Sequence, residues 1–200
     1  MKQTNEILQF WFGDYKDFNH YPVDKANTWF QKSTDFDESI NKKFGPLVDQ
    51  AKNSELLDWT TETPYTCLAY ILLLDQFTRN IYRNQPQAFA HDELARTAAN
   101  GAITKGFDKQ LPLVCRVFMY LPFEHSEDKN DHPKCIELFQ SIIEVAPEDQ
   151  KERYKGYLSF AQQHKDIIDR FGRYPHRNKI LNRVSTTEEI EFLETPGSSF

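Results

Sequence analysis

Apolar residues recur every three to four positions along most of this chain, and the strict alternation of a half-buried strand is almost absent. Ile7, Leu8, Phe10 and Trp11 share one face of a short first helix that stops at Gly13. Residues 14–23 read as an aromatic, polar loop, and a short helix over 24–30 then presents Trp29 and Phe30. Asp35 and Glu38 read as a capping pair ahead of Ile40, Phe44, Leu47, Val48 and Ala51, with Pro46 bending or interrupting that helix. Thr63-Pro64 combines an N-cap hydroxyl with proline at the first helical position, and the helix it starts is expected to run to about Tyr82. Cys67 to Leu74 is apolar all round, as a central helix should be. Beyond it Gln76, Arg79, Asn80 and Arg83 extend the line of Leu68 and Leu72, with Asp75 beside them, so this polar strip is expected to be partly buried.

The second half continues in the same period. Residues 92–104 form a helix rich in alanine, closed near Gly106, and Pro112 opens another in which Leu113, Val114, Val117, Phe118 and Leu121 face inward. Pro122 kinks or ends it, and Glu124 and His125 then follow the apolar line toward the core, an unusual place for charged groups. A helix starts at 131–133 with Ile136, Phe139, Ile142 and Ile143 inward. A longer one over 150–171 uses Tyr154, Tyr157, Leu158, Ala161, His164, Ile168 and Phe171. Ser185 and Glu188 read as the capping box of a last helix through Phe192. The pattern predicts an all-α protein of about eight to ten helices, one domain over 1–195 with a frayed tail at 196–200, and no repeat is legible in the letters.

Two hundred residues, 39% of them hydrophobic and sixteen of them Phe, suffice for one sizeable core. The net charge of −6 and the lack of a long basic run argue against nucleic-acid partners. The longest apolar run, Cys67 to Leu74, is far short of the roughly 20 residues of a membrane span. The first residues carry no basic segment, apolar run or small-residue cleavage site and predict no secretory leader. Cys67, Cys115 and Cys135 sit within apolar helical patterns without a CxxC pair, and read as reduced core thiols of a cytoplasmic protein.

Candidate chemistry gathers in three segments, Asp75 to Asn80 with Arg83, Leu121 to Asp128, and His164 to Asn178, each at the end of an apolar helix. Asp75, Arg79, Asn80, Arg83, Arg173, His176, Arg177 and Asn178 are the ligand-binding candidates, because guanidinium groups grip carboxylate or phosphate with paired donors. The competing view is a structural network in which Asp75, Glu124, Glu127, Asp128 and Asp169 neutralise those arginines. Glu124, His125 and His164 are the catalytic candidates for acid–base work, since burial raises a carboxyl pKa and lowers a histidine pKa. Ser126 or Cys115 as nucleophile lacks any GxSxG-type signature. Glu124, His125, Asp128, His164 and His176 include metal-ligand types but no closed motif, so no metal site is assigned and the cofactor stays unknown.

LLLDQFTRNIYR (72–83), QAFAHDELA (87–95), YLPFEHSED (120–128), FGRYPHRN (171–178) and STTEEIEFL (185–193) together resemble a bacterial family catalogued as domain of unknown function 924, over nearly the whole chain. The resemblance implies antiparallel helix pairs similar to tetratricopeptide-repeat proteins, and it supplies no activity. Thr78 stands where the family pattern has proline, which is expected to straighten the helix near Arg79. Tyr174 stands where phenylalanine is usual, and Asn182-Arg-Val replaces a glycine-arginine lead-in to Ser185. The leading expectation is a helical protein that binds a small anion or a carboxylate-bearing peptide end in a cleft rimmed by Arg173 to Asn178. The alternatives are a hydrolase using Glu124 with His125 or His164, with or without a metal, and an interaction scaffold with a purely structural cluster. The oligomeric state is unassigned.

Overall fold

Thr63 fixes the start of the central helix as its sequence predicts. Its hydroxyl accepts from the Thr66 amide at 3.1 Å, the Thr66 hydroxyl accepts from the Thr63 amide at 3.0 Å, and Pro64 follows. The structure, a computed structural model, describes residues 2–18 and 21–198. Among them the chain forms ten helices and no strand: α1 (Lys2–Phe12), α2 (Val23–Trp29), α3 (Thr34–Lys52), α4 (Trp59–Glu62), α5 (64–81), α6 (Asp92–Thr104), α7 (Leu113–Glu124), α8 (Asp131–Val145), α9 (Lys151–Phe171) and α10 (Thr187–Leu193). Helix α5 is continuous but not uniform. Its Pro64–Ile71 and Thr78–Ile81 parts are α-helical, and Leu72–Phe77 between them is π-helical.

Cys67 to Leu74 is entirely buried, and α3, α6, α7 and α1 pack around α5. Helices α7, α8 and α9 pack in succession, with short connections between them. An aromatic girdle closes one side: Trp11 stacks on Trp29 at 6.3 Å, both meet Phe118, and Trp29 Nε1 donates to the Trp11 carbonyl at 2.9 Å. Phe30 is 61% exposed, although its ring stacks against Phe118 and meets Trp29 edge-on. A smaller cluster of Ile167, Ile168 and Tyr174, backed by Phe171 and Phe192, seats α10 and the segment after α9.

Three local expectations shift. Ser33, not Asp35, caps α3, its hydroxyl accepting from the Phe36 amide. The last capping box is one residue further on than expected: Thr186 and Glu189 form it, because Glu189 rather than Glu188 turns inward to Arg173. Pro46 sits inside α3 without ending it. Both Pro46 and Lys42, whose carbonyl loses its helical partner, lie on the exposed side, where the missing bond leaves no buried polar group. Pro122 lies in the last turns of α7, which ends at Glu124. The hydroxyls of Thr195 and Ser198 bond to the Phe192 and Leu193 carbonyls, and Ser198 is buried. Residues 199–200 of the expected tail, and 19–20 of the expected loop, lie outside the described residues.

Candidate functional site

The π-helical stretch of α5 is where the chemistry begins. A wider turn shifts every later side chain around the helix axis, and such stretches recur at functional sites. Asp75 lies within it with its carboxylate fully buried. Asp75 Oδ1 is 2.7 Å from His125 Nδ1, and Oδ2 accepts from Gln76 Nε2 at 2.6 Å. Arg79 donates to the Asp75 carbonyl and places Nη1 3.4 Å from Oδ1. Burial alone would raise the Asp75 pKa, but the hydrogen bonds donated by His125 and Gln76 and the charge of Arg79 hold it well below the usual carboxylate range. The stretch ends at Thr78, whose hydroxyl bonds to the Leu74 carbonyl at 2.7 Å, so the helix reaches Arg79 through a wide turn rather than a straight α-helix.

Helix α7 delivers Glu124 and His125 at its end, both toward the interior as the apolar line predicted. Burial and the Arg79 charge keep the His125 pKa below its ordinary value despite Asp75. His125 is therefore a neutral imidazole that donates Nδ1–H to Asp75 and keeps Nε2 as an acceptor. Glu124 is buried beside Asp75, and both effects push its pKa up to about 8, so it carries a proton at neutral pH. His164, from the inward face of α9, donates Nδ1–H to the Phe160 carbonyl at 2.8 Å and lies 3.4 Å from Glu124 Oε1. Burial brings its pKa down to about 3.

The third wall is the chain after α9. Gly172 ends α9 in the left-handed conformation (φ 68°), a geometry that favours glycine. The chain turns back on the core, and Tyr174 becomes fully buried. Its hydroxyl donates to the Glu124 carbonyl, its amide donates to Glu127 Oε1, and its ring meets His164 and His176 at 5.5 Å each. Burial and the neighbouring Arg177 charge lower the His176 pKa to about 4. Arg177 is buried between two rings, with its guanidinium carbon 4.6 Å from the Phe89 centroid and 4.5 Å from that of Tyr174. Arg79 grips Asp92 through two bonds of 2.8 Å, while Arg177 reaches the same carboxylate only at 3.6 Å.

The expected residues therefore do not line one cleft. Asp75, Arg79, Glu124, His125, His164, His176 and Arg177 belong to one cluster, in which Asp75, Glu124, His164 and Arg177 are buried and the others half-buried. Arg83 turns the other way and holds Asp37 through two bonds of 2.7 and 2.8 Å, and its Nη2 also donates to the side-chain oxygen Oδ1 of Asn80. Arg173 clamps Glu189 at 2.6 and 2.8 Å, and Asn178 donates to Ser185 and Glu189, so these two fasten α10. The expected rim is largely interior, since Tyr174, Arg177 and Asn178 are buried. Ser126 donates to Asp131 rather than to an imidazole, and Cys115 is buried with its thiol pKa pushed up. No group of three or more His, Cys, Asp or Glu among the described residues is placed to hold a metal ion. Two grooves lie elsewhere, one of about 760 Å³ between α1 and α3 and one of about 250 Å³ against α4, α5 and α6.

Sequence reasoning missed Asp92, the acid that anchors two arginines, and Phe89, on which both stack. It also missed Asp37 and Glu189 as partners, and Arg183, which holds Glu127 through bonds of 2.7 and 3.0 Å. Phe89 and Asp92 both lie in QAFAHDELA, where an aromatic residue just ahead of a helix and an acid in its first turn were a usable signal.

The family model for bacterial proteins of unknown function DUF924 matches residues 7–197. The chain belongs to the DUF924 family. A solved structure described as a protein of unknown function, ATU0120, from Agrobacterium tumefaciens is 36% identical and superposes with a TM-score of 0.81, covering 96% of this chain and 97% of that one. No curated protein matches. The glycine expected in the DUF924 pattern at position 182 has a backbone reason here: Asn182 has φ 53°, a left-handed conformation that asparagine tolerates better than most side chains. No helix among the described residues is long and apolar enough to cross a membrane.

Proposed function

We propose that this DUF924 protein binds a small anion, a carboxylate or a phosphate, through Arg177. One observation carries the reading. The buried Arg177 guanidinium makes no hydrogen bond to another described protein group, and its one ion pair is 3.6 Å long. Arg83 and Arg173 both use their Nε and Nη2 edge to grasp a carboxylate, and the same edge of Arg177 has no such acceptor. A buried charge so poorly compensated costs stability, which a purely structural network does not explain. Phe89 and Tyr174 fix the guanidinium plane, so an entering anion meets donors already oriented. The neutral His125 keeps Nε2 to take up a proton as negative charge arrives.

The test pairs binding with stability. Phosphate, acetate, succinate and free amino acids are screened by thermal shift and calorimetry on the wild type and on Arg177→Met. At least one anion raises the melting temperature of the wild type and not of the variant. Unliganded Arg177→Met is at least as stable as the wild type, whereas Arg79→Met, which strands two acids, loses about 3–5 kcal/mol. Equal destabilisation by both variants, with no anion bound, would overturn the proposal.

A second reading, an acid–base enzyme of hydrolase type, draws support from the His125–Asp75 pair. A fully buried carboxylate that fixes an imidazole tautomer leaves Nε2 as a general base, with protonated Glu124 beside it as an acid. A screen of ester, amide and phosphoester substrates tests it. Turnover abolished by His125→Gln and lowered by Asp75→Asn supports the reading, and turnover that survives His125→Gln sinks it. A cytoplasmic location, in line with three free cysteines, belongs to this proposal, as does a tetratricopeptide-like path of helix pairs, in line with the successive packing of α7, α8 and α9.

A further inference from the structure

Away from the arginine cluster, the cavity of about 250 Å³ against α4, α5 and α6 is lined by Leu57, Tyr70, Leu94, Ala98, Gly101 and Lys105, among others. Four features set it apart from an ordinary surface dent. Tyr70 is 1% exposed, yet its hydroxyl has no hydrogen-bond partner among the described residues. In the same molecule the hydroxyls of Tyr15, Tyr120 and Tyr174 each donate to an acceptor. A buried hydroxyl left unpaired costs free energy, so an acceptor supplied from outside is favoured there. Burial also raises the Tyr70 pKa, which keeps the phenol protonated as a donor.

Lys105 stands exposed beside the cavity, forms no ion pair with a described residue, and its ammonium lies 5.6 Å from the Phe107 ring centroid. Leu57 exposes 48% of its surface on the same wall, an apolar group left open to solvent. Gly101 contributes the space: a Cβ built there meets no atom within 4 Å, although the residue lies inside α6. A large side chain at this position therefore has room to extend into the cavity.

We propose that this cavity binds a small monocarboxylic acid with a compact apolar body and one further acceptor oxygen. The body lies against Leu57, Leu94 and Ala98, the acceptor takes the Tyr70 hydroxyl proton, and the carboxylate faces Lys105. The cavity is smaller than those that take drug-sized ligands, which limits the body to about the size of a benzene ring. This site is independent of Arg177, and the experiment separates the two.

The probe is 4-methoxybenzoate, followed by calorimetry or by ligand-observed NMR. Its controls are 4-methylbenzoate, which lacks the acceptor, and 4-methoxybenzyl alcohol, which lacks the charge. The wild type binds 4-methoxybenzoate saturably and about tenfold more tightly than either control. Gly101→Leu, which fills the cavity with a good helix former, abolishes binding, and Arg177→Met leaves it intact. Tyr70→Phe removes the preference for methoxy over methyl and leaves the melting temperature unchanged or higher, since no partner is lost. Absence of saturable binding, binding indifferent to Gly101→Leu, or a clear loss of stability in Tyr70→Phe would each overturn the proposal. Binding lost in Arg177→Met but kept in Gly101→Leu would move the probe to the arginine cluster and overturn it as well.

Discussion

Glu124→Gln offers the most direct measurement of how dry the cluster is. Glutamine keeps the shape and removes the titration. In the folded chain Glu124 holds its proton up to about pH 8, against an ordinary value near 4.5. Between those two values the unfolded chain has released the proton while the folded chain keeps it. The folded state then binds more protons, so stability falls as pH rises and levels off above about 8. At about 1.4 kcal/mol per tenfold change in proton affinity the full displacement is worth about 5 kcal/mol. Relaxation and water entry bring the expected loss to about 2–3 kcal/mol. Urea unfolding of wild type and Glu124→Gln at pH 4.5 and pH 8.5 isolates the term, because every other titrating group cancels in the difference. The variant gains about 2–3 kcal/mol on the wild type between the two pH values. A difference independent of pH would mean that Glu124 is ionised in the folded protein, and the account of a neutral acid beside His125 would fail.

Other outcomes follow from the same geometry. His164 and His176, with pKa values of about 3 and about 4, are neutral when folded, so below pH 6.5 the unfolded chain binds more protons and stability falls with acid. His176→Gln flattens that acid limb in urea titrations between pH 4 and 6.5. Thr186→Ala costs about 1 kcal/mol in chemical denaturation. Asn182→Gly stabilises by roughly 0.5 kcal/mol and Asn182→Ala destabilises, both read from denaturation midpoints, because only the backbone conformation at that residue is at stake. Asp92→Asn strands Arg79 and Arg177 together and costs about 3 kcal/mol in the same assay.

The letters carried the helices because helical periodicity and end signals are local. Thr63-Pro64, Gly172 and the apolar run from Cys67 to Leu74 are each legible within a few residues, and each is where it was expected. Caps were read to within one or two positions. Choosing Thr186 over Ser185, or Ser33 over Asp35, depends on which acid turns toward a distant arginine and which toward water. The inward course of Glu124, His125 and His164 was likewise legible, since a helix must bury whatever continues its apolar line.

Beyond the i, i+4 pair of Asp75 and Arg79, which charges meet was not legible. Arg79, Arg83, Arg173 and Arg177 are equivalent in composition, yet one grips Asp92, one Asp37, one Glu189, and one is left with a long contact. Those pairings span up to 85 residues of chain and are fixed by helix packing, to which sequence spacing is blind. The π-helical stretch is a tertiary decision as well, because the wider turn re-aims Asp75 and every side chain after it while the apolar pattern of the letters stays helical. The sequence by itself therefore determined an all-helical DUF924 chain with polar groups at the ends of its core helices. Only the folded structure decided that most of those groups neutralise one another in the interior, and that Arg177, held between Phe89 and Tyr174, is the buried cation left poorly paired.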